Sequence, residues 1–345
     1  MTEFRHLHAA HCESGVTSAL LRHQGLELSE PMVFGLGSGL FFFYPPLIKV
    51  MGMPLVSFRC YPGFIFKHTC RRLGISFERK TFRSAVRGQE ALDQLIAQEI
   101  PVGLQTNMFW LSYFPSEFRS QFNGHNLVAL AREGDDYLLS DPMLEEPVHL
   151  ASEALQRARF AKGVLAPRGA IYYPTRVPSD PNLPRAIKLA VKNTARRMMD
   201  PVAMVGVCGI RRLSRSVRSW KSKDQRKQKL LLGHIIRMQE EVGSGGAGFR
   251  FMYAAFLQEA GELLGFEPWR EASERMTEAG DCWRAEFAGA CAQIIKNRGD
   301  ADLDTVADAL LRCADLEEKL FRSLLKNAPG KTVHSLATEP ATASR

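Results

Sequence analysis

The chain has 345 residues, 45% hydrophobic and 24% charged, which suits a folded globular protein long enough for two domains. Its seven cysteines, at 12, 60, 70, 208, 282, 291 and 313, include no C-x-x-C pair. That spacing excludes a zinc knuckle or a disulfide framework, and a reducing cytoplasm is the expected compartment.

The N-terminus lacks the cationic start and apolar core of a signal peptide. The longest apolar runs, such as Val202 to Ile210, are too short to cross a bilayer. His11-Cys12-Glu13-Ser14-Gly15 opens a run with helical spacing, Val16, Ala19, Leu20 and His23, which Gly25 stops. Ser29-Glu30-Pro31 reads as the cap and first turn of a second helix to Leu36. Gly35, Gly37 and Gly39 then interrupt an apolar segment that ends at Pro45-Pro46, and they permit close backbone approach. Gly-Leu-Gly-Ser-Gly puts Ser38 in the wrong place for a nucleophile elbow.

Strands are predicted at 55–61, 75–82, 101–108, 125–132, 136–141 and 169–173, with helices at 64–73 and 84–98. The strands from His125 and Asp136 form a hairpin across Glu133-Gly134-Asp135. Helices first and a mostly antiparallel sheet afterwards make an α+β order. Arg176 to Pro184 packs three prolines into nine residues and reads as a linker. Beyond it six helices are predicted, at 186–199, 201–217, 222–242, 248–264, 268–297 and 302–327. The last carries the stripe Leu303, Val306, Ala307, Leu310 and Ala314. The predicted organisation is a catalytic domain over 1–176, a linker over 177–184, an all-α domain over 185–328 and a disordered tail over 329–345.

A cysteine at a helix start, a histidine heading one strand and an acid ending the next can form a thiol catalyst. The helix N-terminus and an imidazolium would both stabilise the Cys12 thiolate. A carboxylate at Asp141 would fix the tautomer of His125. Taken singly, each residue also fits a plain role: a small core thiol, a buried imidazole, a turn starter before Pro142. The joint pattern points to catalysis. Gln105, Asn107 and Gln121 are candidate donors to an oxyanion beside the Cys12 N–H, and Glu30 is a further substrate-binding candidate.

The segment from HCESG through Gly-Leu-Glu-Leu-Ser-Glu-Pro-Met-Val-Phe-Gly-Leu-Gly-Ser-Gly resembles the N-terminal domain of the butirosin biosynthesis protein H family. Gly124-His125-Asn126 and Ser140-Asp141-Pro142 continue that resemblance. Gly243 to Arg250, with Met252-Tyr253 and Phe256-Leu257, resembles the helical domain that follows in the family. The resemblance implies a papain-like fold and acyl transfer from a carrier-protein thioester to an amine, with Cys12 as nucleophile, His125 as base and Asp141 as its orienter. It implies no cofactor beyond the carrier's phosphopantetheine, and a small-molecule acceptor. Family members often carry an acid in the strand around Asn107, where this chain has an amide.

Net charge is +8 but uneven, with fifteen Lys/Arg between Arg185 and Arg237 against Asp200 and Asp224. An acidic carrier protein is the expected partner, docking on Arg211, Arg212, Arg215 and Arg218, with nucleic acid the weaker alternative. His6, His8, His11 and Cys12 are ligand types for zinc or copper, yet they share no helical face, so no metal is expected. Gly243 to Gly248 spells G-x-G-x-x-G but follows a helical run, so it reads as a helix–helix turn near the cleft. A hydrolase with the same three residues and a non-catalytic carrier-binding module are the competing functions. A homo-oligomer is compatible with the sequence.

Overall fold

The structure is a computed structural model, which describes residues 4–50, 52–242 and 246–327. The predicted tail over 329–345 lies outside the described residues. The first half runs α1 (Cys12–His23), α2 (Glu30–Leu36), β1 (Leu40–Phe43), β2 (Lys49–Val50), β3 (Met53–Pro54), β4 (Ser57–Arg59), α3 (Phe64–Leu73), β5 (Ser76–Lys80) and α4 (Ala85–Ile96). It continues through β6 (Val102–Thr106), β7 (His125–Glu133), β8 (Asp136–Ser140), β9 (Val148–Ala151), α5 (Ser152–Arg159) and β10 (Ile171–Arg176). The second half is helical: α6 (Leu183–Met198), α7 (Gly206–Ser219), α8 (Gln225–Glu240), α9 (Arg250–Leu264), α10 (Glu267–Asp281), α11 (Gly289–Lys296) and α12 (Leu303–Lys326).

Six strands form one antiparallel sheet in the order β5-β10-β6-β7-β8-β9. The predicted hairpin closes with Glu133 opposite Asp136. The α+β class and its antiparallel sheet are as expected, and a helical region follows. β1, β2, β3, β9 and α5 went unpredicted, and β1 pairs with β4 in a separate small sheet. Residues 201–205 do not join α7, because Gly206 turns with φ 51° against the Met198 carbonyl. The single helix expected over 268–297 is α10 and α11 joined by a π-helical stretch, Cys282–Ala288.

The sheet's two faces serve different cores. Leu92, Leu104, Leu127, Leu139 and Leu155 pack on one face, under α4 and α5. A larger core on the other side runs without interruption from Val33 and Phe58 to Phe256, Trp283 and Leu310 in the helical half. Each fully buried side chain of this size stabilises by about 1.5–3 kcal/mol, so the two halves depend on each other. Gly35 shows why they fit: a Cβ there would fall 2.1 Å from the Phe256 ring of α9. The close approach expected of these glycines is made to another element of the chain.

Candidate active site

Three local features bring Cys12, His125 and Asp141 together. Cys12 is the first residue of α1, after an extended His11. Gly15 lets that helix approach, since a Cβ on it would meet Ala9 at 2.5 Å and Pro142 at 3.1 Å. The Ala9 N–H donates to the Pro142 carbonyl at 2.8 Å, fastening the cysteine loop beside Asp141. His125 heads β7. Val128 pairs with Ser140, and one further step sets Asp141 opposite Leu127, on the face His125 shares.

His125 Nε2 lies 2.6 Å from Asp141 Oδ2. The Cys12 thiol lies 3.8 Å from the carbonyl of Gly124, the residue before His125, and His125 acts on the thiol electrostatically. Asp141 further accepts the Tyr113 hydroxyl at 2.7 Å and the Met143 N–H at 3.0 Å. Exposure is 4% for Cys12, 3% for His125 and 0% for Asp141, so all three are shielded from bulk water.

Burial opposes charge at each group and is outweighed each time. Desolvation pushes the Cys12 thiol up, but the hydrogen bond and charge of His125, with Arg59 and the Asn126 N–H, bring it below its ordinary value. Desolvation disfavours the His125 imidazolium, yet Asp141 and then Cys12 raise its pKa to about 10. Burial also pushes Asp141 up, while His125 and Tyr113 hold it below the usual carboxylate range. Both shifts run in the direction of a thiolate–imidazolium pair.

Several supporting residues escape sequence reasoning. Asn126 donates Nδ2–H to the Cys12 sulfur at 3.8 Å and to the Gly124 carbonyl at 3.0 Å. Its Oδ1 accepts the Tyr172 hydroxyl of β10 at 2.8 Å, which fixes the amide's orientation. Strand alternation, which puts Asn126 on the face opposite His125, is the one signal that could have flagged it. Arg59 pairs with Glu13, donates to the Cys60 carbonyl at 3.1 Å and reaches His11 Nε2 at 2.6 Å. His11 Nδ1 accepts the Ser14 N–H at 3.3 Å, capping α1, and lies 2.8 Å from Ser14 Oγ. Burial and then Arg59 keep His11 neutral, well below its ordinary pKa. Glu13 also accepts the Ile65 N–H at 2.9 Å, capping α3.

The remaining candidates sit differently from expectation. Glu30 is a clamp on the loop before Cys12, accepting the Ala10 N–H at 2.9 Å, the His11 N–H at 2.7 Å and the Ser14 hydroxyl at 3.0 Å. Gln105 spends its amide on the Asn123 and Leu165 carbonyls, at 2.8 and 3.1 Å. Asn107 donates to Asn123 Oδ1 at 2.7 Å and to Gln121 Oε1 at 3.3 Å, and Gln121 is exposed. These three hold the loops around Asn123, and none of these bonds reaches Cys12. His6 is engaged with Ser140 Oγ and the Leu144 carbonyl, at 2.7 and 3.0 Å. Among the described residues no cluster of three or more His, Cys, Asp or Glu suits a metal ion.

Two of the four docking candidates meet acids within the chain. Arg211 pairs with Asp315 at 2.6 Å and Glu318 at 2.5 Å, and Arg218 pairs with Asp304 and Asp308. All four acids stand on α12, so the acidic partner of half this patch is inside the chain. Arg215 remains exposed, and Arg212 lies half-buried beside Tyr44. No helix among the described residues is long and apolar enough to cross a membrane. Gly246 to Phe249 form the turn between α8 and α9, and the Phe249 ring stands edge-on to His11 at 5.1 Å. Of the glycine-rich motif, residues 243–245 lie outside the described residues.

A cysteine opening a helix against an antiparallel sheet, with a buried His–Asp pair from that sheet, is the arrangement of a papain-like fold. The chain carries a region matching the N-terminal domain of the butirosin biosynthesis protein H family, followed by a region matching a second family domain. The family described as "Butirosin biosynthesis protein H, N-terminal" matches residues 11–142, and "Domain of unknown function (DUF4872)" matches residues 153–324. A solved structure described as a C39-like peptidase from Bacillus anthracis is 16% identical, with a TM-score of 0.36, over 51% of this chain and 96% of that chain. Among curated proteins there is no match.

Proposed function

We propose that the protein is a cysteine-dependent acyltransferase that takes an acyl group from a carrier-protein thioester and passes it to an amine or hydroxyl of a small molecule. The observation that carries this reading is the buried chain from Cys12 through His125 to Asp141, biased toward thiolate and imidazolium. The Cys12 thiolate attacks the thioester carbonyl. A new C–S bond forms, the bond to the carrier's sulfur breaks, and the departing thiolate takes the proton of His125. Neutral His125 then accepts a proton from the acceptor's N–H or O–H as that group attacks the acyl-enzyme. Cys12 leaves as thiolate, and the ion pair is restored.

Asp141 orients the ring and stabilises its charge. The Cys12 backbone N–H and Asn126 Nδ2–H serve as donors to the carbonyl oxygen while it is negative. Burial of the sulfur supports transfer over hydrolysis, since a shielded acyl-enzyme survives until an acceptor arrives. No cofactor is required, because the acyl group arrives on the carrier's phosphopantetheine arm.

Intact-protein mass spectrometry with acyl-loaded carrier tests this. The expected result is an acyl adduct on the wild type, discharged by an amine and absent from Cys12→Ala. An adduct on Cys12→Ala, or none on the wild type across a range of acyl groups, overturns the reading.

A further inference from the structure

The helical half takes no part in the chemistry above, yet it closes a cavity of about 310 Å³. Phe41, Phe43 and Phe58 form one side, Leu165 a second, and Met238 and Phe249 from the helical half a third. Two of its lining residues touch the cysteine loop. Phe249 packs on His11 at 5.1 Å, Arg59 reaches His11 at 2.6 Å, and the Gly124 carbonyl, two residues past the wall at Phe122, lies 3.8 Å from the Cys12 sulfur.

The wall is mostly apolar, and the side chains of Ser57, Arg59 and Cys60 are engaged or neutral. Arg59 is neutralised by Glu13 and bonded to His11 and the Cys60 carbonyl. The Ser57 hydroxyl donates to the Arg59 carbonyl at 2.9 Å. Burial pushes the Cys60 thiol up to about 11, so it stays neutral. A charged guest would lose its hydration here and find no free side chain of opposite charge among the lining residues. The loop wall is also pre-formed. Asn123 holds the Val164 carbonyl at 2.8 Å, and Gln105 holds that of Leu165 at 3.1 Å.

We propose that this cavity receives the acyl chain of the substrate, that the chain is uncharged and apolar, and that the helical half supplies the wall selecting it. The proposal rests on the acyl-transfer reading of Cys12. A space of this size holds about ten water-sized groups, which suits a medium-length chain.

The test is the rate of Cys12 acylation by acetyl, butyryl and octanoyl thioesters of N-acetylcysteamine on the full chain. Binding of the same thioesters to Cys12→Ala is measured by calorimetry beside it. Octanoyl is expected to outrun acetyl by about a hundredfold or more. Met238→Trp, which fills the cavity from a half-exposed position, is expected to cut the octanoyl-to-acetyl ratio at least about tenfold. Acylation at equal rates along the series overturns the cavity and leaves acyl transfer standing. Chain-length-dependent binding to Cys12→Ala with no acylation of the wild type upholds the cavity and removes the transfer reading. Acylation and binding that both fail remove both.

Discussion

Each half of the molecule buries an ion pair, and the two pairs are built differently. Arg250 and Glu317 in the helical half are both 0% exposed and joined twice, at 2.9 and 3.1 Å. Arg250 also donates to the Gly248 carbonyl at 2.8 Å and lies 4.9 Å over the Trp283 ring, and Trp283 Nε1 donates to Glu317 at 2.7 Å. Each of these bonds goes to a group that does not react. His125 and Asp141 are as deeply buried, but the imidazole acts on a thiol. Desolvation costs both pairs alike; what differs is the group each acts on. A saturated pair holds structure, and a pair that ends on a nucleophile is poised for proton transfer.

The sharpest way to break this comparison is Asp141→Asn. Its acylation rate is expected to fall by about 10³- to 10⁴-fold, because the amide no longer stabilises the imidazolium. Single-turnover kinetics read this loss. A variant that lost only thermal stability would make this pair equivalent to the other. Glu317→Leu is the counterpart. It leaves Arg250 buried without its carboxylate and is expected to cost about 3–5 kcal/mol in urea unfolding. Asn126→Ala comes next, with an acylation rate lower by about 10²-fold or more if its amide serves the oxyanion. A variant as fast as wild type would remove Asn126 from the chemistry.

The smallest effect is the pH dependence of stability. The folded-state pKa of His125 is raised, to about 10, so the pair's contribution is complete below the unfolded value of about 6.5 and lost as pH climbs toward 10. Asp141 is lowered, so it stays ionised throughout that window. The melting difference between wild type and His125→Gln is therefore expected to narrow from pH 6 to pH 10. A difference that widened would contradict the ion-pair assignment.

Much of the local structure was legible. Gly74 ends α3 and Ser84 caps α4 where turn and cap chemistry predict. The hairpin of β7 and β8 follows from two alternating runs around Gly134, which turns with φ 64°. That hairpin brings His125 near Asp141 without help from distant chain. The pairing of the basic block was not legible, because composition registers the arginines of α7 but not the acids of α12 that face them. Nor were the partners of Glu30, whose carboxylate accepts from Ala10, His11 and Ser14.

The sequence by itself determined the reactive types and their local setting: a thiol at a helix start, an imidazole and a carboxylate on one hairpin, and a helical second half. Periodicity, caps and turns act within a few residues, so they can be read along the chain. Only the tertiary structure decided how each polar group is used and what the site encloses. Tyr172 turns Asn126 toward the sulfur from 46 residues away, α12 takes up Arg211 and Arg218, and Met238 and Phe249 close a cavity begun by Phe41 and Phe58. A hydrogen-bonding group buried away from water takes whichever partner the packing sets beside it, and that choice is made by elements far apart in the chain.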